Sequence, residues 1–515
     1  MHYNIIMYYR PYWVCGRYNV NHRVAIMYNL IEGVSYFFED DSAQIIGLIL
    51  SYKRGNHFLI KDLSIKSDID IESLDEFLSE LKSLGLVTEE PITNNMIDSY
   101  RKNISRIRCE ELSHKQEPAF EKLSMDITSA EMAYTDAVGG ITSVMLELTY
   151  NCSERCIHCY NPGATRNDSE ICMRGDREEL TLNDYIRIID ELYDQGVVKV
   201  CLSGGDPFSN NNIWKIIDYL YNKDIAVDIY TNGQRLVTKV KQLADYYPRT
   251  VAVSIYSGIP EEHDYITRVK GSWNKSISVL KELSQFAVPL NIKCCIMRQN
   301  VKTYHLVRNL AQQYGAVPQF EINITDSIDG DKCASKYLRL TPSSMEIILR
   351  DPSIPLYVGK EVPNYGGQPR SMDKNACGAG YNSFCITPEG YLIPCCAYHL
   401  AFGNLKEQSL ESILNNNKLL LDWQNLRLRD YEECGRYEYC DYCNLCPGNN
   451  YAENGYCTKA GENNCFVAKI RCDLAKKLKN GDDPLRGKSV FQRISEIPHY
   501  TDNKIKREYT IHSEQ

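Results

Sequence analysis

Two hydrophobic rhythms divide the chain. In residues 1–90, Val24-Ala-Ile-Met-Tyr-Asn and Gly33-Val-Ser-Tyr-Phe-Phe read as the strands of a hairpin joined by Leu30-Ile-Glu. Ser42 to Ser51 carries Ala43, Ile45, Ile46, Leu48 and Ile49 at amphipathic helical spacing, with Ser42 as predicted N-cap. A helix beginning at Ile71 places Leu74, Phe77, Leu78 and Leu81 on one face, and Gly85 stops it. Leu86-Val-Thr then closes a winged helix-turn-helix outline. Such an outline suggests DNA, but Asp68, Asp70, Glu72, Asp75 and Glu76 on its helices would be repelled by phosphate. Residues 91–140 are polar, broken by Pro91, Pro118 and Gly139-Gly140, and read as a linker with one helix.

From 141 to 330 the rhythm changes. Strands are predicted at 144–149, 197–203, 225–231, 250–256, 290–297 and 318–324, with helical patterns between them. In the pattern from Leu182 to Tyr193, Ile186, Ile189 and Leu192 share a face. Six such units imply an α/β fold: a parallel sheet with crossover helices, whose ligands belong at the C-terminal strand ends. Residues 331–376 connect to a cysteine-rich region, 377–480, and 481–515 read as a polar tail, at the surface or disordered.

A chain of 515 residues exceeds one ordinary core, so two to four domains are expected. The net charge of −9 argues against a nucleic-acid partner held by phosphate contacts. No apolar run reaches the roughly 18 residues that span a bilayer, so no membrane partner is expected. The start lacks a basic region followed by an apolar stretch. Twenty-one cysteines without an export signal are expected to be metal ligands in a reducing cytoplasm rather than a disulfide framework.

The cysteines carry the chemistry. Cys152, Cys156 and Cys159 follow the apolar run Val144-Met-Leu-Glu-Leu148. Three thiolates can hold three irons of a [4Fe–4S] cluster and leave the fourth open to a small molecule, whereas four make a closed electron carrier. A zinc knuckle or buried cysteines is the alternative. With Tyr160 beside the last cysteine, this CxxxCxxC resembles the radical S-adenosylmethionine (SAM) superfamily. The resemblance implies a partial (β/α)6 barrel. It also implies that SAM binds the open iron through its amino and carboxylate groups, and that one electron cleaves it to a 5′-deoxyadenosyl radical.

Later strand ends extend the resemblance. Gly204-Gly205-Asp206-Pro207 follows the second strand, where two glycines let backbone approach a ligand and a carboxylate can accept from an ammonium group. The superfamily's usual form has Glu, so Asp206 departs by one methylene. Asn232 ends the third strand. Ser254 and Arg268 resemble the residues that hold the SAM ribose and carboxylate, against a plain reading as a strand-end hydroxyl and a surface charge. With Tyr160, these are the expected cofactor-binding residues. Cys294 and Cys295 in the fifth strand read as core, with one able to face the barrel interior.

Downstream lie Cys377, Cys385, Cys395, Cys396, Cys434, Cys440, Cys443, Cys446, Cys457, Cys465 and Cys472. Spacing alone permits two four-ligand zinc sites. With Gly390 five residues before Cys395, the pattern resembles the SPASM extension, which implies two auxiliary [4Fe–4S] clusters and three in all. Its later block departs from the SPASM spacing. The expected sets are Cys377 and Cys395 with Cys457 and either Cys385 or Cys434, and Cys440, Cys443 and Cys446 with Cys465 or Cys472.

Residues 1–90 resemble the recognition element that captures the leader of a ribosomally made, post-translationally modified peptide by strand addition. Together the resemblances imply a peptide-maturing oxidoreductase that forms a thioether or carbon–carbon cross-link in a leader-bearing precursor peptide. They also imply an electron donor such as flavodoxin or ferredoxin. The alternatives are a peptide epimerase with Cys396 as hydrogen donor or acid/base, and a sulfatase-type formylglycine maturase. In the latter an aspartate stands at the position of Cys396. An iron–sulfur or zinc regulator is the non-enzymatic alternative.

Overall fold

The protein is described, as a computed structural model, over residues 6–114, 128–161, 178–327, 337–359, 371–398 and 400–498. Its N-terminal part runs β1 (Met7–Tyr9), β2 (Val14–Asn19), β3 (Val24–Asn29), β4 (Val34–Glu39), α1 (Asp40–Leu50), β5 (His57–Leu59), α2 (Ile60–Ser67) and α3 (Ile71–Ser83). The predicted hairpin is β3–β4, and β3 is central because all six of its residues are apolar enough to be buried or, like Asn29, bonded inside. β2 completes the antiparallel sheet and has no alternation to announce it. Gly16 is required there, since a Cβ would lie 2.2 Å from the Ile26 carbonyl oxygen. The wing is β1 paired with β5 and bridged to Thr88.

Glu39, not Ser42, is the N-cap of α1. Ser42 instead donates its hydroxyl to the Glu39 carbonyl at 2.6 Å. α3 is capped by Asp70, which accepts from the Ser73 N–H, and it buries Leu74, Leu78 and Leu81. Half-buried Phe77 meets Phe38 of β4 edge-on, ring centroids 6.2 Å apart.

The described residues of 91–140 hold two helices where one is expected, α4 (Asn94–His114) and Ser129–Val138. They read as a linker because only a narrow apolar stripe, Ile97, Tyr100 and Ile104 of α4, packs on the N-terminal core, and cationic side chains make much of the remaining contact. Arg101 is buried and donates to the Ala244 carbonyl at 2.7 Å, while Arg108 reaches the carbonyls of Ile31 and Val288. Glu131 starts the second helix in a capping box with Thr128. Its other oxygen accepts from the Tyr28 hydroxyl at 3.1 Å and sits 3.3 Å from the Lys199 ammonium and 3.6 Å from Arg249. Arg249 in turn holds Asp228 through two bonds of 2.8 and 2.6 Å. This buried network joins the N-terminal sheet to the strand starts of the next domain.

There β6 (Ser143–Glu147), β7 (Lys199–Ser203), β8 (Ala226–Thr231), β9 (Thr250–Ser254), β10 (Leu290–Cys295) and β11 (Ala316–Glu321) lie side by side and parallel. Val144, Leu146, Val200, Leu202, Val251 and Ile292 enter the apolar layer beneath the crossover helices. Alternation sends Glu147, Cys201, Tyr230, Ser254, Lys293 and Cys295 to the opposite, concave face. Cys294 thus packs in the outer core and Cys295 faces the interior. The first crossover helix, Leu182–Asp194, buries Tyr185, Ile188, Ile189 and Leu192; Ile186 is off that face.

The cysteine-rich region continues the same sheet. β12 (Ser383–Ile386) runs parallel to β6, followed by antiparallel β13 (Tyr391–Ile393) and β14 (Gly403–Asn404). Residues 490–496, inside the expected polar tail, form a helix capped by Ser489 that seats Val490 and Ile494 in the core. The rest of that tail, 499–515, lies outside the described residues.

Replacing Glu131 with Ala takes one of two carboxylates from a buried network with two cations and removes the helix cap as well, so unfolding stability should drop by about 3 kcal/mol. Thermal or urea unfolding of the holoprotein measures this, and Glu131→Gln, which keeps the cap, should lose less.

Candidate functional site

The residues singled out in the barrel sit at the C-terminal edge of the sheet. After Glu147 the chain runs alongside the end of β7: Gly205 N–H donates to the Thr149 carbonyl at 2.7 Å and Asp206 N–H to that of Asn151 at 3.1 Å. This close approach explains both glycines. A Cβ on Gly204, whose φ is +123°, would lie 2.3 Å from the Thr149 oxygen, and one on Gly205 would lie 2.6 Å from the Asn151 oxygen. The far limb is pinned by Arg155 and Ile157 N–H groups donating at 3.0 Å to Thr267 and Ile266.

Within this loop Cys152 accepts from the Asn232 amide at 3.2 Å and from the Glu154 N–H at 3.4 Å, so Asn232 reaches the site through a sulfur. Burial pushes the Cys152 thiol up to about 12 and Cys159 to about 11, and lifts Cys156 far above its ordinary value. A bound metal reverses that, because a coordinating thiol is deprotonated outright. Asp206 is fully buried. One oxygen accepts from the Thr231 hydroxyl at 2.5 Å, the other has no partner among the described residues, and burial raises the group to about 6.

More buried polar atoms are unsatisfied around the same loop: Ser153 Oγ, Glu154 Oε1, Asn161 Oδ1 and Gln234 Oε1. Buried polar groups ordinarily find partners. This ring of unused donors and acceptors beside three thiols fits a cluster carrying a small, charged, hydroxyl-rich cofactor. Ser254 hydrogen-bonds the Tyr256 hydroxyl, and Arg268 caps the helix Pro260–Thr267 with a left-handed φ of +59°. Glu154, Asn161, Gln234 and Glu147 escape motif reading; a lone acid in an apolar strand run is the signal that would have found the last.

The motif's Tyr160 turns toward the cysteine-rich region, its hydroxyl hydrogen-bonded to the Cys396 thiol. Burial raises that thiol to about 11. Behind it the cysteines fall into two groups. Cys395 is raised by burial and then by Cys396, Cys446 and Cys377, and Tyr431 feels Cys457, Cys377, Cys434 and Cys446. Separately, Cys434, Cys440, Cys443 and Cys465 line one cavity of about 320 Å³. Four thiols about a space of that size suit a cubane cluster.

This grouping differs from the one expected. Cys446 is not among the residues that line this cavity; it is the N-cap of the helix Pro447–Asn454, its sulfur accepting from the Asn449 N–H at 3.5 Å, whereas Cys434 is among them. Cys472 is core, away from the cavity, and Cys385 is a strand residue of β12. Among the described residues no three His, Cys, Asp or Glu close on one point as a single ion requires. Thiols around a cubane stand a whole cluster apart. None of the described cysteines is in a disulfide, and no described helix is long and apolar enough to cross a membrane.

Comparison with known proteins agrees with this geometry. Residues 146–305 match the radical SAM superfamily, and residues 377–447 match SPASM, an iron–sulfur cluster-binding domain. The antilisterial bacteriocin subtilosin biosynthesis protein AlbA of Bacillus subtilis is 26% identical over 345 residues, 64% of this chain and 70% of that protein. The AdoMet-dependent heme synthase of Methanosarcina barkeri is 24% identical over 335 residues, 60% of this chain and 92% of that protein. Streptococcus suis SuiB, solved bound to precursor peptide SuiA, shares the fold. Its TM-score is 0.51 at 14% identity, covering 89% of this chain and 99% of that one.

Gly204→Ala should displace the motif loop and cost about four irons per chain. Asp206→Asn should keep the iron but weaken SAM binding roughly tenfold. Iron assay and equilibrium binding on anaerobic protein distinguish the two.

Proposed function

We propose that this chain, which carries a radical SAM domain and an iron–sulfur SPASM domain, is a peptide maturase that cross-links a leader-bearing precursor through a thioether or carbon–carbon bond. The barrel and cluster domain do not by themselves favour a peptide, since a heme synthase aligns with them as well as a bacteriocin biosynthesis protein does. The N-terminal sheet carries the reading. β4 is an edge strand, unpaired on its outer side among the described residues, and Phe38 on it packs against Phe77 of α3. An extended leader can add to that edge by backbone hydrogen bonds, with side-chain anchors beside α3. Exposed Glu72, Glu76 and Glu80 on the same helix suit a leader with Lys or Arg.

In this reading Cys152, Cys156 and Cys159 hold the cluster whose open iron takes SAM. Asp206, Asn232, Ser254, Arg268 and the end of the Gly204-Gly205 turn orient the cofactor, and Tyr160 closes the side facing Cys396. Bound and reduced, the cofactor supplies a 5′-deoxyadenosyl radical able to take a hydrogen atom from an unactivated C–H bond. Cys377, Cys395, Cys446 and Cys457 hold one auxiliary cluster; Cys434, Cys440, Cys443 and Cys465 hold the other. Electrons come from a flavodoxin- or ferredoxin-type donor in a reducing cytoplasm, and neither nucleic acid nor membrane is a partner. Cys396 favours one second reading, a peptide epimerase, because its thiol faces the interior where it could return a hydrogen atom.

The test is anaerobic reaction of the reconstituted enzyme with a leader-bearing precursor peptide whose core carries cysteine. A product lighter by two hydrogens per cross-link supports the maturase, an isobaric product the epimerase, and an unmodified peptide defeats both.

Two predictions follow from the assignments. Reconstituted protein should hold about twelve irons, and Cys434→Ser should lose or degrade one auxiliary cluster while Cys472→Ser loses none. Equal iron and equal electron paramagnetic resonance spectra in both variants would return Cys434 to the core. Phe77→Ala should weaken precursor binding roughly tenfold, by fluorescence anisotropy, while substrate-free SAM cleavage persists.

A further inference from the structure

Glu147 ends β6, the strand that leads into the three-cysteine loop, and its side chain is 1% exposed. Alternation puts it on the concave face, since its neighbours Leu146 and Leu148 enter the outer core. Burying a carboxylate is costly unless a cation or several donors compensate it. At the other end of the same sheet that compensation is complete, with Arg249 on Asp228 and Lys199 on Glu131. Among the described residues no cation pairs with Glu147. The Tyr150 hydroxyl donates to it at 3.2 Å.

What surrounds it is chemical rather than structural. Its charge bears on Cys396, Tyr160 and Cys385, and more weakly on Cys159. Lys293 of β10 acts on Cys396 in the opposite sense and holds its ammonium 4.0 Å over the Tyr230 ring. Glu389 also bears on Glu147, and Glu321 of β11 stands opposite Cys295 and shares the influence of Lys293. A carboxyl, two phenols, a thiol and an amine thus meet inside the barrel from β6, the motif loop, β8, β10 and the loop after β13. Desolvation lifts the Glu147 carboxyl to about 8, which makes its carboxylate a far better proton acceptor than an exposed glutamate.

We propose that Glu147 is the catalytic proton acceptor of the oxidative step, with Tyr150 as the residue that positions it. The assignment rests on the cross-linking reading above. Once a substrate carbon has given a hydrogen atom to the deoxyadenosyl group, joining that radical carbon to a thiol forms one C–S bond and breaks one S–H bond. The step releases one proton and one electron. The Glu147 carboxylate takes the proton, and an auxiliary [4Fe–4S] cluster held by the downstream cysteines would supply the electron acceptor, so the atoms and charges balance. Glu147 later returns the proton to solvent.

Glu147→Gln in the full holoenzyme tests this, with a leader-bearing precursor peptide whose core carries cysteine as probe. The amide is isosteric, and matching iron content and cluster spectra establish that the variant is folded and loaded. The expected result is that 5′-deoxyadenosine forms within about twofold of wild type while cross-linked product per 5′-deoxyadenosine falls by roughly a hundredfold or more. Infrared difference spectra without peptide should also show a protonated buried carboxyl that disappears as pH rises and is missing from the variant. An unchanged ratio of product to 5′-deoxyadenosine overturns the assignment, as does loss of 5′-deoxyadenosine itself, which would make Glu147 part of the cofactor site. If wild type cleaves SAM and leaves the peptide isobaric, the cross-linking reading fails, and this assignment with it.

Discussion

The parallel pairing of β12 with β6, Ser383 opposite Ser143 through Ile386 opposite Leu146, is the constraint on which the rest depends. It makes the cysteine-rich region a continuation of the barrel sheet instead of a tethered module. Because side chains alternate with a period of two, this register also decides which face each residue serves. Cys385 opposes Met145 and so lies on the concave side, and the hairpin from β12 to β13 delivers Cys395 and Cys396 beside Tyr160. A slip of one residue would turn Phe384, now packed in the outer core, into the interior. β6 is shared in the other direction by β7, which carries the Gly204-Gly205 turn. One strand therefore sets the positions of the motif loop, the cofactor turn and the cysteine hairpin.

Both ends of this sheet bury charge, and they do so in opposite ways. At the strand starts every carboxylate is answered. Burial pushes Asp228 up, yet Arg249 and Lys199 overcome it and hold the group below the usual carboxylate range. At the strand ends Asp206 and Glu147 are left short of partners, and burial lifts both. A fully satisfied polar network rigidifies a fold, whereas a partly satisfied one is unfavourable unless something else completes it. The contrast locates stability at one edge and chemistry at the other without appeal to any motif.

Most of this was legible in the sequence where one type of residue dominated a local signal. Six short runs with apolar residues at alternate positions fall on six strands, and three closely spaced cysteines fall on one loop at a strand end. Legibility failed where distant geometry overrode local spacing. Cys440, Cys443 and Cys446 read as one set, but Pro447 starts a helix at Cys446, which does not line the cavity shared by Cys434, Cys440, Cys443 and Cys465. α4 read as linker because its apolar stripe of Ile97, Tyr100 and Ile104 is narrow and the rest of its docking depends on guanidinium groups reaching carbonyls. The final helix has two turns and rests on Val490, Phe491 and Ile494, too short a run for a pattern to show.

The placement of the N-terminal domain bears on how a peptide would be handled. It docks at the strand starts: Arg10 and Arg54 hold Asp224, just before β8, and Tyr28 joins the Glu131 network. The three-cysteine loop lies at the strand ends, across strands of five or six residues. At about 3.3 Å per residue such strands are roughly 17–20 Å long. If β4 holds a leader, the chain between leader and reacting residue must cover at least that distance, and an extended chain does so with no fewer than about six residues. Recognition and chemistry are thereby kept apart by the height of the barrel. One edge can then bind many peptide sequences through backbone while the other acts on whichever residue the spacer brings to Tyr160 and Glu147.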